Sequence, residues 1–175
     1  MLLRNYLRIL PWAQYLSEED IEHVAAAMRV EDYPDQHVFL YQDKQAKELY
    51  LLLEGKVNVC HYGPSGRNHI LKTLQPGDFF GLLSISDGKP SVASCGAVGP
   101  VKVAALAFSA FLLLHQPGSR IGCGFQYVMA AQLARDIRDR HAMLRNLLVQ
   151  IYSQPGCDPV PGEKVSCGIK ERGET

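Results

Sequence analysis

Between residues 38 and 74 the chain abandons helical spacing for short β-rich runs: Val38-Phe39-Leu40-Tyr41, Glu48-Leu49-Tyr50-Leu51-Leu52-Leu53, Lys56-Val57-Asn58-Val59-Cys60-His61-Tyr62 and His69-Ile70-Leu71-Lys72-Thr73-Leu74. Turn signals part them. Glu54-Gly55 predicts a tight reversal, Gly63-Pro64-Ser65-Gly66 a longer hairpin loop, and Pro76-Gly77-Asp78 a corner. Residues 91–97 and 101–106 supply two closing strands, separated by a turn at Gly99-Pro100. Short strands punctuated in this way predict an antiparallel double sheet or barrel.

Helical patterns flank this region. Residues 1–8 carry apolar positions at helical spacing, and Ser17 is placed to cap a helix from about 18 to 28 whose first turn, Glu18-Glu19-Asp20, is acidic. Ile21, Val24, Ala25 and Met28 share its buried face. Residues 108–114 predict a short helix, with Ser109 as its candidate cap and Pro117-Gly118 as its end. From about 120 to 152 there is no proline, and no glycine after Gly124, so a single long helix is expected. Along it Ala130, Leu133, Ile137, Arg140, Leu144, Leu147 and Ile151 alternate at three and four residues, a coiled-coil seam with one charged member, Arg140. The first half of this helix is expected to cover the barrel and the second to project as the seam of a parallel homodimer.

Composition narrows the picture. A chain of 175 residues with 47% hydrophobic positions builds one ordinary core, placed here in residues 1–152. Residues 153–175 shift to Pro, Gly, Glu and Lys and bury too little apolar surface to offset their ordering entropy, so a disordered tail is expected. With 18 basic and 18 acidic residues the formal charge is zero, and nothing global draws the chain to nucleic acid or an anionic membrane. Residues 1–8 do not have the pattern expected of a secretion signal, and no stretch reaches the roughly 18 to 20 apolar residues a membrane span needs. A soluble cytoplasmic protein is the expectation. Five cysteines at irregular spacing suit a reducing compartment. Cys60, Cys95 and Cys123 are read as small core residues, and Cys157 and Cys167 fall in the tail.

Three segments carry a family resemblance: 43–55 (Asp-Lys-Gln-Ala-Lys-Glu-Leu-Tyr-Leu-Leu-Leu-Glu-Gly), Lys56-Val57-Asn58-Val59, and Leu74-Gln75-Pro76-Gly77-Asp78-Phe79-Phe80-Gly81. With the order of helix, roll, short helix and long helix, they resemble the cyclic-nucleotide-binding domain of catabolite-activator-type regulators, over about residues 7–152. The resemblance implies a mainly β fold with flanking helices: a double-stranded β-helix, or jelly roll, of about eight strands, followed by a dimerisation helix.

In that family the segment after the Phe-Gly pair is a phosphate-binding cassette, a short helix closed by an arginine that pairs with the cyclic phosphate, with a glutamate right after the glycine for the ribose. Here Gly81 is followed by Leu82-Leu83-Ser84-Ile85-Ser86-Asp87-Gly88-Lys89-Pro90-Ser91-Val92-Ala93. Aligning Ala93 with the alanine that ends the family pattern puts Leu82 at the glutamate and Ser91 at the arginine. Neither replaces the lost group, at roughly 1.5 to 3 kcal/mol for each charge-assisted hydrogen bond. By the register of the dimer helix the two base-contacting positions become Arg140 and His141. The ligand-binding set implied by the resemblance is therefore Gly81, Leu82, Leu83, Ser84, Ser91, Val92, Ala93, Arg140 and His141, with Lys89 as a helper and Arg140 as a relocated anion contact.

Other chemistry finds little footing. Cupin-type metal sites need a His-x-His pair, whereas His61 and His69 flank a hairpin loop as surface or cross-strand residues. No nucleophile elbow, paired-carboxylate motif or glycine-rich nucleotide loop is present, so no catalytic residue, metal or cofactor is expected. No cysteine precedes Cys60 to group an iron–sulfur cluster. The proline- and glycine-bearing tail does not predict the helix-turn-helix that gives this family its DNA contact. Two functions stay open: a sensor of a cyclic nucleotide or another small anion acting through a protein partner, and a ligand-free interaction scaffold with a collapsed pocket. A site lined by Arg140, Ser84 and Ser91 would favour the first, and one filled by Leu82, Leu83 and Ile85 the second.

Overall fold

The structure, a computed structural model, describes residues 2–11, 13–63, 67–114 and 120–152. The helix stop expected at Pro117-Gly118, loop positions Pro64, Ser65 and Gly66, the side chain of Ile151, and the tail with Cys157 and Cys167 lie outside the described residues. The chain runs α1 (Leu3–Arg8), a 3-10 turn (Ala13–Tyr15), α2 (Glu18–Ala27), β1 (Arg29–Tyr33), β2 (Val38–Leu40), β3 (Glu48–Tyr62), β4 (Asn68–Leu74), β5 (Phe79–Phe80), α3 (Leu82–Asp87), β6 (Ser94–Ala107), α4 (Phe108–Leu114) and α5 (Arg120–Tyr152).

Local chemistry accounts for most of these boundaries. Ser17 starts α2 through a reciprocal cap: its hydroxyl accepts from the Asp20 N–H at 3.2 Å, and the Asp20 carboxylate accepts from the Ser17 N–H at 3.0 Å. The strands form an antiparallel sheet with the path β1-β6-β3-β4, to which β2 adds on β6 and β5 on β3. The long pair β3 and β6 stays in partnership from Glu48↔Ala107 to Cys60↔Ser94.

That pairing corrects two expectations. Glu54-Gly55 is not a reversal, and Gly99-Pro100 does not separate two strands; the register shifts on either side of Glu54 and both strands run on. Glycine is the reason. Gly55 at φ 89° and Gly99 at φ 75° let the backbone bend without leaving the ladder. Each bent strand then serves as two, so six continuous strands do the work of the roughly eight in a jelly roll. Two strands had no sequence signal. β5 is two residues long. β1 is polar and is held by its pairing with β6 and by Arg29, which reaches Glu31 at 3.3 Å and Glu48 at 2.7 Å.

The run from Leu49 to Leu53 is buried without alternation, the pattern of a strand covered on both faces. Leu7 of α1, Val24 of α2, and Phe125 and Val128 of α5 belong to the same core. Close approach of α5 rests on Gly124, where an added Cβ would stand 2.4 Å from Leu16 Cδ2. Phe125 meets Phe111 of α4 edge-on at 6.0 Å. Cys95 is buried and Cys60 half-buried, but Cys123, expected in the core, is exposed, because it falls on the outer face of α5.

Residues 1–134 form one compact unit, and a second begins at Arg135. In the second unit Ile137, Met143, Leu144, Leu147, Leu148 and Val149 are all exposed large apolar side chains on a helix. Arg140 and His141 are exposed as well.

Candidate functional site

The cassette begins where β5 ends. Phe79 and Phe80 pair with Leu51 and Tyr50 of β3, and Phe80 stacks on Tyr50 at 5.0 Å and meets Phe39 edge-on at 5.3 Å. The next residue turns sharply. Gly81 has φ 85°, and a Cβ there would lie 2.9 Å from the Glu48 carbonyl oxygen. This is a position only glycine fills without displacing backbone. α3 follows and closes at Gly88, φ 68°, whose N–H donates to the Ser84 carbonyl at 3.0 Å.

The loop between β2 and β3 fastens the cassette. The Asp43 N–H donates to the Ser91 carbonyl and the Ser91 N–H to the Lys44 carbonyl, both at 2.8 Å. The Ser84 hydroxyl accepts from the Ala46 N–H at 2.9 Å and donates to the Lys89 carbonyl, and Gln45 Nε2 donates to the Gly88 carbonyl at 3.2 Å. A further contact comes from β3, where His61 Nδ1 lies 3.2 Å from the Val92 carbonyl oxygen. A carbonyl only accepts, so Nδ1 carries the proton.

Side chains of the expected set divide into two groups. Leu82 is 5% exposed and sits in the hydrophobic core with Ile85, and Ser84, Ser91 and Ala93 are buried. Leu83 and Val92, by contrast, are 52% and 61% exposed. Neither of the two expected linings is gathered whole: Ser84 is taken up by structural hydrogen bonds, and Leu83 does not join Leu82 and Ile85 inside. Lys89 is exposed and 3.9 Å from Asp87. The cassette belongs to the first compact unit, and Arg140 and His141 belong to the second.

Register fixes the two faces of the β3–β4 hairpin. Val57↔Leu74, Val59↔Lys72 and His61↔His69 are partners on one face, buried at Val57 and Leu74 and open to solvent at His69. Asn58, Cys60, Tyr62 and Asn68 are on the other, where with Gln36, Gln42 and Ser94 they line a groove of about 790 Å³. His61 and His69, read from the sequence as surface or cross-strand residues, are partners across this ladder, which slips by one rung between Val59 and Cys60.

Residues 30–116 match the family described as "Cyclic nucleotide-binding domain". This segment belongs to that family. A CRP-like cAMP-activated global transcriptional regulator of Mycobacterium tuberculosis is 31% identical over 75 residues, 43% of this chain and 34% of its own length. A cAMP-dependent protein kinase regulatory subunit of Blastocladiella emersonii is 29% identical over 112 residues, 64% of this chain and 28% of its own. Catabolite Activator Protein of Thermus thermophilus superposes with a TM-score of 0.65 at 28% identity, over 78% of this chain and 62% of that one. The chain thus spans well under two thirds of the length of the first two relatives.

Around the cyclic nucleotide-binding segment the chain has an antiparallel sheet, flanking helices and a long C-terminal helix, and it shares its fold with the Thermus thermophilus protein over 78% of its length. Among the described residues no helix is long and apolar enough to cross a membrane, and no three His, Cys, Asp or Glu side chains gather to hold a metal ion.

Proposed function

We propose that this cyclic nucleotide-binding domain is a non-enzymatic regulatory sensor that takes a small anion, either a cyclic nucleotide held atypically or another compact anionic ligand. The observation that carries this reading is the divided exposure of the cassette. Leu82 and Ile85 enter the core, yet Leu83 and Val92 remain open, so an accessible face persists where a sealed former pocket would cover them. A ligand-free scaffold is the second reading. It is favoured by the burial of Leu82 at the position of the family's ribose-binding glutamate and by a Ser84 hydroxyl already engaged twice.

Thermal unfolding with millimolar cyclic AMP, cyclic GMP and cyclic dinucleotides separates the two. Binding to the native state alone stabilises by about 2.7 kcal/mol at a hundredfold excess over Kd and must raise the midpoint. A raised midpoint with any of these supports the sensor. No shift with any of them removes the cyclic nucleotides as ligands and favours the scaffold.

We further propose that α5 makes a parallel homodimer and passes the signal to a protein partner rather than by direct DNA contact. The exposed apolar stripe from Ile137 to Val149 and the zero formal charge support this. Arg140 is the charged member of that stripe. Arg140→Leu is expected to tighten self-association about tenfold, near 1.4 kcal/mol. Sedimentation equilibrium reads this directly, and unchanged or weaker association would count against the seam.

A further inference from the structure

The face of the β3–β4 hairpin opposite to His61 bounds a groove of about 790 Å³, a volume in the range of small-molecule sites. Asn58, Cys60 and Tyr62 alternate along β3 on that face, and Tyr62 pairs with Asn68 of β4. Val38 of β2, with Gln36 before it and Tyr41 after it, closes the other side.

Charge is nearly absent from this lining. Among the described residues no lysine, arginine or histidine lines the groove, so a phosphate or carboxylate would enter without a counter-charge. Asp43 is the one acid there, and its carboxylate already accepts from Gln42 Nε2 at 3.4 Å. Gln42 itself is a strut: its Oε1 accepts from the Tyr62 N–H at 2.9 Å, and its Nε2 donates to the Tyr62 carbonyl at 3.3 Å.

What the lining offers is neutral hydrogen-bonding capacity. The side-chain amides of Gln36 and Asn68 and the hydroxyls of Tyr41 and Tyr62 make no hydrogen bond among the described residues. Asn58 Oδ1 accepts from the Thr73 hydroxyl at 2.7 Å, which leaves its NH2 to donate. Tyr41 and Tyr62 are 59% and 50% exposed, enough to give a ligand an aromatic surface. Backbone strain marks the same place. Gln36 (φ 64°) and Asp43 (φ 63°) are the non-glycine residues in left-handed backbone among the described residues, and both line the groove. Such strain gathers where the surrounding structure fixes a ligand site.

Going beyond the anion reading of the cassette, we infer that this groove is a second ligand site, one that takes a small neutral polyhydroxylated molecule of the saccharide class. Each sugar hydroxyl both donates and accepts, as the facing amides do, and the C–H face of a sugar ring packs on a tyrosine.

The full chain would be titrated with glucose, maltose, sucrose and trehalose in turn, following backbone amide resonances by NMR, with glucose 6-phosphate and choline as charged comparators. At least one neutral sugar is expected to move the amides of Asn58, Cys60, Tyr62 and Asn68. Its binding is expected to be about tenfold weaker in Tyr62→Ala and about fivefold weaker in Asn68→Ala. Both side chains are exposed, so neither variant should lose its fold. Gln36→Gly removes an amide while suiting the left-handed backbone, so weaker binding there reads the amide and not the fold. No response at these amides to any of the four sugars, or a response that all three variants leave unchanged, would overturn the proposal. Tighter binding of glucose 6-phosphate than of glucose, or binding of choline in place of the sugars, would overturn its neutral class. None of these outcomes touches the sensor reading, which is judged by cyclic AMP at the cassette amides of Leu83 and Val92.

Discussion

Leu82→Glu is expected to destabilise the domain by about 3 to 5 kcal/mol rather than restore a ribose contact, because it puts an unpaired carboxylate into an apolar core. The side chain at this position is 5% exposed and packs in one cluster with Ile85, Leu40 and Phe80. Burial raises the pKa of an introduced carboxyl, so the folded state would hold its proton to higher pH than the unfolded state does. The penalty is therefore smallest below the unfolded pKa, near pH 4, and grows as pH rises toward the raised folded value. Urea denaturation at about pH 4 and about pH 7 tests both size and sign. A variant within about 1 kcal/mol of wild type at pH 7 that also binds cyclic AMP would show instead that this position faces the ligand. Ser91→Arg in the same background extends the comparison to the second family charge, from a position that is also buried.

The second large effect is expected at Gly55. Gly55→Ala forces a Cβ to within 2.7 Å of the Pro100 carbonyl oxygen and 2.8 Å of Val101 Cγ1, at a φ of 89°. Left-handed backbone costs a non-glycine residue roughly 1 to 2 kcal/mol, before any movement of the facing strand. A total loss of about 3 kcal/mol is expected, read as a lower urea midpoint with an unchanged m-value. Gly99→Ala is the natural control. Its φ is also positive, at 75°, but nothing lies within 4 Å of its added Cβ, so it should lose only the conformational part. Equal losses in the two variants would mean that the strand crossing at Gly55 is looser than the structure indicates.

Sequence reading recovered the elements whose determinants are local. The Ser17 cap, the 3.6-residue period of α2 and the proline-free course of α5 each depend on residues near one another in the chain, and all three are present. Strand continuity was not legible in the same way. A glycine with positive φ serves a hairpin or a bend equally well, and what decides between them at Gly55 is β6, some forty residues away in sequence and paired on both sides of the bend. The site shows the same division. Replacement of two charged family positions by Leu82 and Ser91 could be read from the chain, because the turn residues around them keep their spacing. Which of two adjacent leucines would be buried could not, since α3 is six residues long and gives no full period to compare.

One strand holds the cassette from both directions. At its first residue, β3 sets the Glu48 carbonyl against Gly81, and near its last it donates from His61 to the Val92 carbonyl. The first is a close approach of backbone that only glycine allows, and the second is a hydrogen bond. The loop between β2 and β3 shares this hold through Asp43, Gln45 and Ala46, and Gly55 puts a bend midway along the strand between the two points. A substitution that displaces the cassette is therefore expected to disturb β3 and, through the shared ladder, β6 as well.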